Sequence, residues 1–356
     1  CSYDRLFFHQ PPHRALLSGF MENLMENMKL FPQGLYLLSG VGAILLTLWA
    51  TRLWIGWSLR HEWLDKPGHR KIHTQPIPLA GGLGIATSML CILTGGIILA
   101  WLGGLPELAR DALEYGYSSR GPQILGIGFG ALSMLLIGLW DDQKQPSPAP
   151  KFLAQACVAL MVTASGVRIT LFMEAAWLHY LITCFWILLI VNACNFVDNM
   201  NGLCSGLATI SALFFAIHAM SHDHYLVASL AWAIAGAIAG FLPFNYPKAK
   251  AFLGDAGSHL IGFLIAIMAI LPHFYSEESD APWVVLAPIP ILGVFLIDLA
   301  WVVSFRWMHG LPVYQGDTNH LSHQLVRRGC SPAAAVGLLW MLQGLLGCLS
   351  IWMVRS

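Results

Sequence analysis

The segment Asn192-Ala193-Cys194-Asn195-Phe196-Val197-Asp198-Asn199-Met200-Asn201-Gly202-Leu203 is polar, yet it lies between two apolar runs that are each long enough to cross a bilayer. Amides and a carboxylate are costly at a membrane boundary, so they mark a functional site more often than a structural accident. At helical spacing Asn192, Asn195 and Asp198 share one sector of the helix surface and point three oxygen-bearing side chains the same way. This pattern predicts a site for a metal ion or a phosphate group.

The composition is that of a polytopic membrane protein. Of 356 residues, 56% are hydrophobic and only 11% are charged, and the mean hydropathy is +0.63, which leaves too little polar surface for a soluble globule of this length. The formal net charge is +0, so a nucleic-acid partner is not expected. The eight cysteines form no C-x-x-C pair and predict neither a disulfide framework nor a zinc site.

Ten apolar runs could each cross the membrane as a helix, although several are shorter than the ~20 residues of a straight crossing. The runs are Phe31 to Ala50, Gly81 to Trp101, Ile124 to Trp140, Phe152 to Val167, Ala175 to Val191, Leu203 to Met220, Tyr225 to Phe244, Ala256 to Leu271, Trp283 to Phe305 and Ala333 to Val354. We therefore predict an all-α fold: a single transmembrane bundle of about ten helices over residues 31–356, preceded by an N-terminal tail over residues 1–30.

Lys and Arg are unevenly distributed between the two predicted membrane faces. The loops at 51–80, 141–151, 192–202, 245–255 and 306–332 hold 12 of them, and the opposite side, tails included, holds 7. Because cytoplasmic loops carry the excess of positive charge, we expect the first set to face the cytoplasm and both termini to face outward. Every unusual polar cluster of the chain also lies on this predicted cytoplasmic side.

Five such clusters combine carboxylates, amides, lysines and histidines. They are Asp65 to His73 with Pro76, Pro78, Gly81 and Gly82; Asp141-Asp142 with Lys151 and Gln155; Asn192 to Gly202; Asn245 with Phe252 to Ser258; and Arg306 to Arg328, which contains His320 and His323. Together they provide what Mg²⁺-dependent phosphoryl transfer requires, because Mg²⁺ takes one or two carboxylates plus substrate phosphates and cations neutralise the remaining charge.

Each cluster taken singly has a simpler explanation. The Asp141-Asp142 pair could be the solvated end of an apolar helix, and Asp255 could only cap the next helix. His320 and His323 could be surface residues, and two histidines are too few for a zinc site. The lysines of these loops could supply only the positive charge of a cytoplasmic face.

The five motifs in this order, from about Asp65 to Gly329, resemble the polyprenyl-phosphate N-acetylhexosamine-1-phosphate transferases, the glycosyltransferase 4 family. Such enzymes move a sugar 1-phosphate from a UDP-sugar onto undecaprenyl phosphate at the cytoplasmic membrane face and release UMP. The resemblance implies a multi-pass protein of a bacterial cytoplasmic (inner) membrane that uses Mg²⁺, with Mn²⁺ as a substitute. It implies the start of a lipid-linked cell-surface polysaccharide, favours GlcNAc-1-phosphate as the group transferred, and leaves a homodimer open.

The resemblance also assigns roles to individual residues. Catalytic roles are implied for Asp141, Asp142, Asp198, His320 and His323. Metal ligands are implied at Asp255 and Asp198. Substrate binding is implied for Lys71 and Lys151 at phosphate groups, for Asn245 and Phe252 at the uracil ring, for Asn201 at the nucleotide, and for Asn192 and Asn195.

The chain departs from the family pattern at two positions. Asn199 stands in place of the first Gly of D-G-x-D/N-G, and Ser322 replaces the middle His of an H-x-H-H pattern. Asn tolerates a left-handed backbone better than most residues, so the turn can survive. The chain also lacks an H-H-H-F-E run, which favours a surface-polysaccharide enzyme over the peptidoglycan phospho-N-acetylmuramoyl-pentapeptide transferase.

Two mechanisms and two other classes of protein remain as alternatives. The Asp141-Asp142 pair could assist direct attack by the lipid phosphate or supply a nucleophile for a covalent intermediate. We favour single displacement, because a phosphate monoester with a second pKa near ~6 is already mostly ionised.

A secondary transporter would carry its carboxylates near the bilayer midplane, and here only Asp298 is clearly inside an apolar run. A non-catalytic scaffold would leave the five polar clusters without a reason.

Single-cysteine labelling tests the predicted orientation. In a cysteine-free background, Ser147→Cys should react with an impermeant thiol reagent only after the membrane is permeabilised, because its loop is predicted to be cytoplasmic. The matched control is Ser276→Cys in a predicted outer loop, which should react in intact cells. Labelling of Ser147→Cys from outside intact cells would contradict the orientation.

Overall fold

The computed structural model describes residues 32–66, 75–102, 107–171, 173–272, 282–312 and 318–355. These residues form twelve α-helices, two short β-strands and one 3-10 helix. The α-helices are α1 (Gln33–Arg60), α2 (Gly81–Trp101), α3 (Glu107–Lys144), α4 (Pro148–Ala164), α5 (Ala176–Val197), α6 (Leu203–Ser221), α7 (Tyr225–Asn245), α8 (Gly254–Met268), α9 (Pro288–Ile291), α10 (Gly293–Met308), α11 (Leu321–Arg327) and α12 (Pro332–Arg355). The strands are β1 (Leu64–Asp65) and β2 (Ile77–Pro78), and the 3-10 helix is Pro282–Leu286. The expected tail over residues 1–30 lies outside the described residues.

The apolar helices correspond to the ten predicted runs. Within the described residues, seven helices are long and apolar enough to span a membrane, or eight if the bent pair Trp283–Ile291 and Gly293–Met308 forms one span. Two more, α4 and α8, are apolar but only 17 and 15 residues long. The all-α, polytopic architecture is therefore confirmed, whereas the number of crossings, the side of the termini and the membrane face of the site stay predictions.

The predicted run Trp283 to Phe305 is broken rather than one straight helix. Its two halves meet at Leu292 with a bend of 76°. Pro288 and Pro290 lie just before the bend, and proline removes a backbone donor and clashes with the preceding turn. The prediction of a single helix over this run is wrong, because it was based on apolar residues alone and did not consider the two prolines.

Polar side chains of neighbouring helices bind the backbone at this break. Gln343 of α12 is fully buried; its Oε1 accepts the Val294 N–H at 3.0 Å, and its Nε2 donates to the Ile291 carbonyl at 2.5 Å. Ser211 of α6 donates to the same carbonyl at 2.7 Å. Backbone groups inside a membrane must find partners within the protein, so these contacts hold the break in one place.

A small β-hairpin attaches the first polar cluster to the loop before α8. β1 and β2 are antiparallel, with Asp65 opposite Ile77. The Phe252 N–H donates to the Pro78 carbonyl at 2.9 Å, and the Gly81 N–H donates to the Phe252 carbonyl at 3.0 Å. These strands, which were not predicted, bring Asp65 and Phe252 to the same end of the bundle.

Helix α8 lies in the centre of the bundle, where it packs against α2, α3 and α5. Every residue from Ala256 to Met268 is buried. The closest approach is at Gly138 of α3, where an added Cβ would lie 2.3 Å from the Asp255 carbonyl oxygen and 2.4 Å from the Ala256 Cα. Only glycine leaves room for the α8 backbone here, and this contact sets the end of α3 beside the start of α8.

Gly138→Ala should destabilise the protein by about 1–3 kcal/mol, because the added methyl group meets backbone atoms that cannot move aside. Thermal unfolding of the purified protein in detergent measures this cost as a lower Tm. Gly128→Ala on the same helix is the matched control, since among the described residues only its own helix backbone lies within 4 Å of the Cβ position. It should keep or raise the wild-type Tm. Equal Tm values for the two variants would contradict the close contact between α3 and α8.

Candidate active site

The N-terminus of α8 is capped by Asp142, a carboxylate from another helix. Its Oδ1 accepts the Asp255 N–H at 2.8 Å and its Oδ2 accepts the Ala256 N–H at 3.1 Å. The first N–H groups of a helix have no partner within the helix, and the helix dipole favours a negative charge there. Gly254, with a φ of +74°, makes the turn that starts α8 against this carboxylate. Asp142 therefore positions the backbone that carries Asp255.

Asp141, the other member of the pair, binds a different partner. It is buried and forms an ion pair with Lys151 of α4. Lys151 also donates to Asn195 Oδ1 at 3.3 Å, and Asn195 Nδ2 donates to Asp255 Oδ1 at 2.5 Å and to Ser258 Oγ at 3.1 Å. One polar network thus joins α3, α4, α5 and α8, and it brings four of the predicted site residues together.

Asp198 lies half-buried at the C-terminus of α5. The pKa of Asp198 is raised to about 7, mainly by burial and to a smaller extent by the negative charge of Asp142. Neighbouring carboxylates disfavour each other's ionised form, and a cation beside them favours it. The electrostatics of this end of the bundle therefore favour a bound cation.

The described residues contain no group of three or more His, Cys, Asp or Glu side chains that could hold a metal ion by themselves. Mg²⁺ does not need such a group, because it commonly takes one or two carboxylates, keeps several waters and uses substrate phosphates for the rest. Asp198 and Asp255 supply carboxylate oxygens, the ligand type that Mg²⁺ prefers, so the donor set fits this ion. Metal binding by these two residues stays a prediction.

Asn192 binds inside the bundle, one helical turn before Asn195. Its Nδ2 donates to Gln155 Oε1 at 3.0 Å and to the Leu188 carbonyl at 2.8 Å. Gln155 is fully buried. Asn192 therefore joins α5 to α4 and supports the part of α5 that reaches the polar network.

Asn245, expected at the uracil ring, is buried and binds backbone on both sides of its amide. Its Oδ1 accepts the Gly202 N–H at 2.6 Å, and its Nδ2 donates to the Ala251 carbonyl at 3.0 Å. It therefore fixes the turn after Asp198 relative to the loop that carries the half-buried Phe252. A uracil contact of Asn245 and Phe252 stays a prediction; the Asn245 amide has a second N–H and a second oxygen lone pair with which to make it.

The remaining predicted contacts lie at the edge of the site. Asn201 Nδ2 donates to the Pro247 carbonyl at 3.3 Å, and Lys71 lies outside the described residues. Asp65, at the end of β1, was not assigned a role by sequence. Its charge acts on Asp142, so it belongs to the same group of carboxylates.

His320 precedes α11 and pairs with a carboxylate that the sequence analysis left unassigned. Its Nδ1 lies 2.7 Å from Asp298 Oδ2, and the Leu321 N–H donates to Asp298 Oδ1 at 2.7 Å. The rings of His320 and His323 are 6.3 Å apart, so the two predicted histidines lie together. The signal for Asp298 was present in the sequence, because it is an acid inside an apolar run.

The two departures from the family pattern contact each other. Ser322 is fully buried, and its Oγ donates to Asn199 Oδ1 at 2.7 Å. Asn199 Nδ2 in turn donates to the Phe196 carbonyl at 2.9 Å. In this protein, α11 is therefore connected to the turn after α5 by two side chains that the family pattern does not contain.

These contacts gather the described parts of all five polar clusters at one end of the bundle. Carboxylates, amides and a lysine in one place are the residue types that bind metal ions and phosphate groups in proteins. Fold and site together define a multi-pass membrane protein with the features of a phosphoryl transferase.

Comparison with known proteins identifies the family. Residues 124–273 match the sequence model of glycosyl transferase family 4. The chain is 30% identical over 288 residues to the probable undecaprenyl-phosphate N-acetylglucosaminyl 1-phosphate transferase of Bacillus subtilis, an alignment that covers 78% of this chain and 74% of that protein. It is 30% identical over 344 residues to the decaprenyl-phosphate N-acetylglucosaminephosphotransferase of Mycobacterium leprae, which covers 86% and 81%.

A transferase with a different named sugar is also similar. The chain is 29% identical over 341 residues to the phospho-N-acetylmuramoyl-pentapeptide-transferase of Bacillus cytotoxicus, covering 90% of this chain and 98% of that protein. The chain therefore belongs to glycosyl transferase family 4, the polyprenyl-phosphate N-acetylhexosamine-1-phosphate transferases. The resemblance inferred from the motifs is confirmed.

A double-mutant cycle tests the contact between the two departures. Asn199→Gly should cost about 1–3 kcal/mol, because the buried Ser322 hydroxyl loses its acceptor, and Ser322→His should be destabilising because it adds an imidazole beside Asn199. The double variant exchanges the two volumes and should be less destabilised than the sum of the single variants by about 0.5–3 kcal/mol.

Unfolding free energies measured in detergent give this coupling. The matched control combines Ser322→His with Asn201→Gly, whose costs should add because the two side chains bind different partners. Additive costs in the Asn199 and Ser322 cycle would show that the two positions are independent.

Proposed function

We propose that this protein transfers an N-acetylhexosamine 1-phosphate, with GlcNAc-1-phosphate as the first choice, from a UDP-sugar to undecaprenyl phosphate and releases UMP. The reaction would begin a lipid-linked cell-surface polysaccharide at the cytoplasmic face of a bacterial inner membrane. The observation that carries the proposal is the network of Asp141, Lys151, Asn195 and Asp255. Asp198 lies near enough to Asp142, the neighbour of Asp141, to be affected by its charge. These contacts support the proposal because they bring carboxylates, which would bind a metal ion, next to a lysine that would bind phosphate.

The choice of GlcNAc rests on the relatives and on the sequence of the histidine segment. Two similar proteins carry N-acetylglucosamine in their names, and they match most of this chain. The H-H-H-F-E run is absent from the full sequence, which argues against the pentapeptide-bearing substrate of the peptidoglycan relative. Family membership disfavours a secondary transporter.

The contacts of the two adjacent aspartates support single displacement. An oxygen of the lipid phosphate attacks the β-phosphorus of the UDP-sugar; a new oxygen–phosphorus bond forms, the bond to the bridging oxygen breaks, and its electron pair leaves with UMP. The attacking monoester has a second pKa near ~6 and needs little help to lose a proton. Asp142 already accepts two backbone N–H bonds, so it suits a positioning role better than that of a nucleophile.

The remaining residues divide between binding and charge neutralisation. Lys151 would neutralise phosphate charge, and its ion pair with Asp141 holds it in place. Asp198 and Asp255 would hold Mg²⁺, with Mn²⁺ as an alternative, and such an ion when bound neutralises charge on the diphosphate. His320 and His323 would donate hydrogen bonds to the phosphate of the departing UMP.

The function is tested with purified protein, undecaprenyl phosphate, Mg²⁺ and a panel of UDP-N-acetylhexosamines. We expect UMP release that depends on the lipid and is fastest with UDP-GlcNAc. Omission of undecaprenyl phosphate is the control for simple hydrolysis. Turnover with only the pentapeptide-bearing UDP-sugar would assign the protein to the peptidoglycan reaction, and no UMP release with any donor would contradict the proposed function.

Asp255→Asn and Asp198→Asn should each lower turnover at least ~10²-fold, because a neutral amide binds Mg²⁺ poorly and the diphosphate then loses charge stabilisation. Initial rates of UMP release over a range of Mg²⁺ concentrations measure the effect. Asp223→Asn is the matched control: Asp223 is exposed between α6 and α7 with a φ of 55°, which Asn tolerates. Near wild-type turnover of either site variant at ordinary Mg²⁺ would show that its carboxylate is structural.

A further inference from the structure

We propose that Asp298 is a positioning residue for His320: its carboxylate holds Nδ1–H of the imidazole and leaves Nε2 for the phosphate of the departing UMP. The proposal rests on the proposed function for its chemical meaning. Its geometry is that of the contacts made by Asp298 on α10, the second half of the broken helix.

The carboxylate of Asp298 uses both of its oxygens on the segment that begins α11. Oδ2 lies 2.7 Å from His320 Nδ1, and Oδ1 accepts the Leu321 N–H at 2.7 Å. Asp298 is 3% exposed and His320 is 4% exposed. The bond to the Leu321 N–H fixes the backbone, and the bond to His320 Nδ1 fixes the ring. The imidazole therefore cannot rotate without breaking its bond to Asp298.

The surroundings of the pair combine apolar groups with one buried cation. Asp298 lies within the apolar helix α10, and the ring of Phe196 packs edge-on against His320 with centroids 6.4 Å apart. The guanidinium of Arg306, also buried on α10, lies 5.2 Å from the same Phe196 ring. Ionisable groups within an apolar helix are rare, and where they occur they mark function more often than packing.

A helix cap alone would not require a carboxylate. An Asn at this position would still accept the Leu321 N–H through its amide oxygen. Its amide nitrogen, however, donates and cannot accept, so it would force His320 Nδ1 to become the acceptor. A carboxylate only accepts, and therefore keeps the proton on Nδ1 whatever hydrogen bond Nε2 makes.

The consequence is a specific arrangement of donors. With Asp298, the imidazole can carry protons on both nitrogens, so Nε2–H can meet the charge that grows on the leaving phosphate. With Asp298→Asn, a second proton would set Nδ1–H against an N–H donor of the amide. The variant thus keeps the fold of α11 and removes one protonation state of the ring.

The tautomer of His320 gives a readout that does not depend on activity. Solid-state ¹⁵N NMR of histidine-labelled protein in lipid bilayers reports which ring nitrogen is protonated, and the His320 signal is assigned by its loss in His320→Gln. We expect Nδ1 to be protonated in the wild type and bare in Asp298→Asn. Ser322→Ala is the matched control, because it removes another hydrogen bond that anchors α11 and should leave the Nδ1 signal unchanged. A bare Nδ1 in the wild type would overturn the proposal.

A kinetic cycle separates positioning from a structural role. Asp298→Asn should lower kcat ~10-fold or more with little change in KM for the UDP-sugar, because the affected charge develops toward the transition state. In the His320→Gln background the same substitution should have almost no further effect. An equal loss in both backgrounds would show that Asp298 acts without His320 and would overturn the proposal. Absence of UMP release by the wild type would contradict the proposed function, and the NMR result would still decide whether the pair exists.

Discussion

Asp142 binds the first N–H groups of α8 with both oxygens of its carboxylate. Hydrogen bonds to an ionised group are roughly twice as strong as those between neutral groups, and these two lie where Gly138 brings the backbones of α3 and α8 together. They fix the point at which α8 begins and therefore the position of Asp255. The bond from Asn195 to Asp255 then draws α5 into the same network. A shift of α8 by one residue would separate these groups.

Because Asp142 binds the start of α8, the two adjacent carboxylates have different partners. Asp141 faces Lys151 and belongs to the charged network, whereas Asp142 faces backbone. A carboxylate with lone pairs engaged by two N–H donors is a poor nucleophile, so the geometry favours direct attack by the lipid phosphate. Asp198 lies near enough to feel the charge of Asp142, and the local excess of negative charge favours a cation. Under the proposed mechanism, the residue that caps α8 is therefore adjacent to the carboxylate that belongs to the charged network.

Features that depend on a local sequence pattern could be predicted. The apolar runs lie in helices, with the run from Trp283 to Phe305 broken at Leu292. The polar clusters lie at one end of these helices, where Asp141, Lys151 and Asn195 are in contact. The bend at Leu292 could have been predicted from its prolines. Pairings between distant segments could not, because hydropathy and spacing carry no information about them: the Ser322 bond to Asn199 joins residues 123 positions apart. For the same reason the contact between His320 and Asp298 could not be predicted, although Asp298 stands out in the sequence as an acid within an apolar run.

Acceptor-free single turnover tests the central claim, that Asp142 is a cap and the lipid phosphate attacks directly. Purified protein at micromolar concentration is mixed with UDP-GlcNAc and Mg²⁺ without undecaprenyl phosphate, and UMP is quantified against the amount of protein. Undecaprenyl phosphate is then added to show that the same sample is active. We expect no UMP before the lipid is added and rapid release afterwards. A burst that approaches one UMP per protein molecule, with a phosphosugar attached to Asp142 or Asp141, would contradict it.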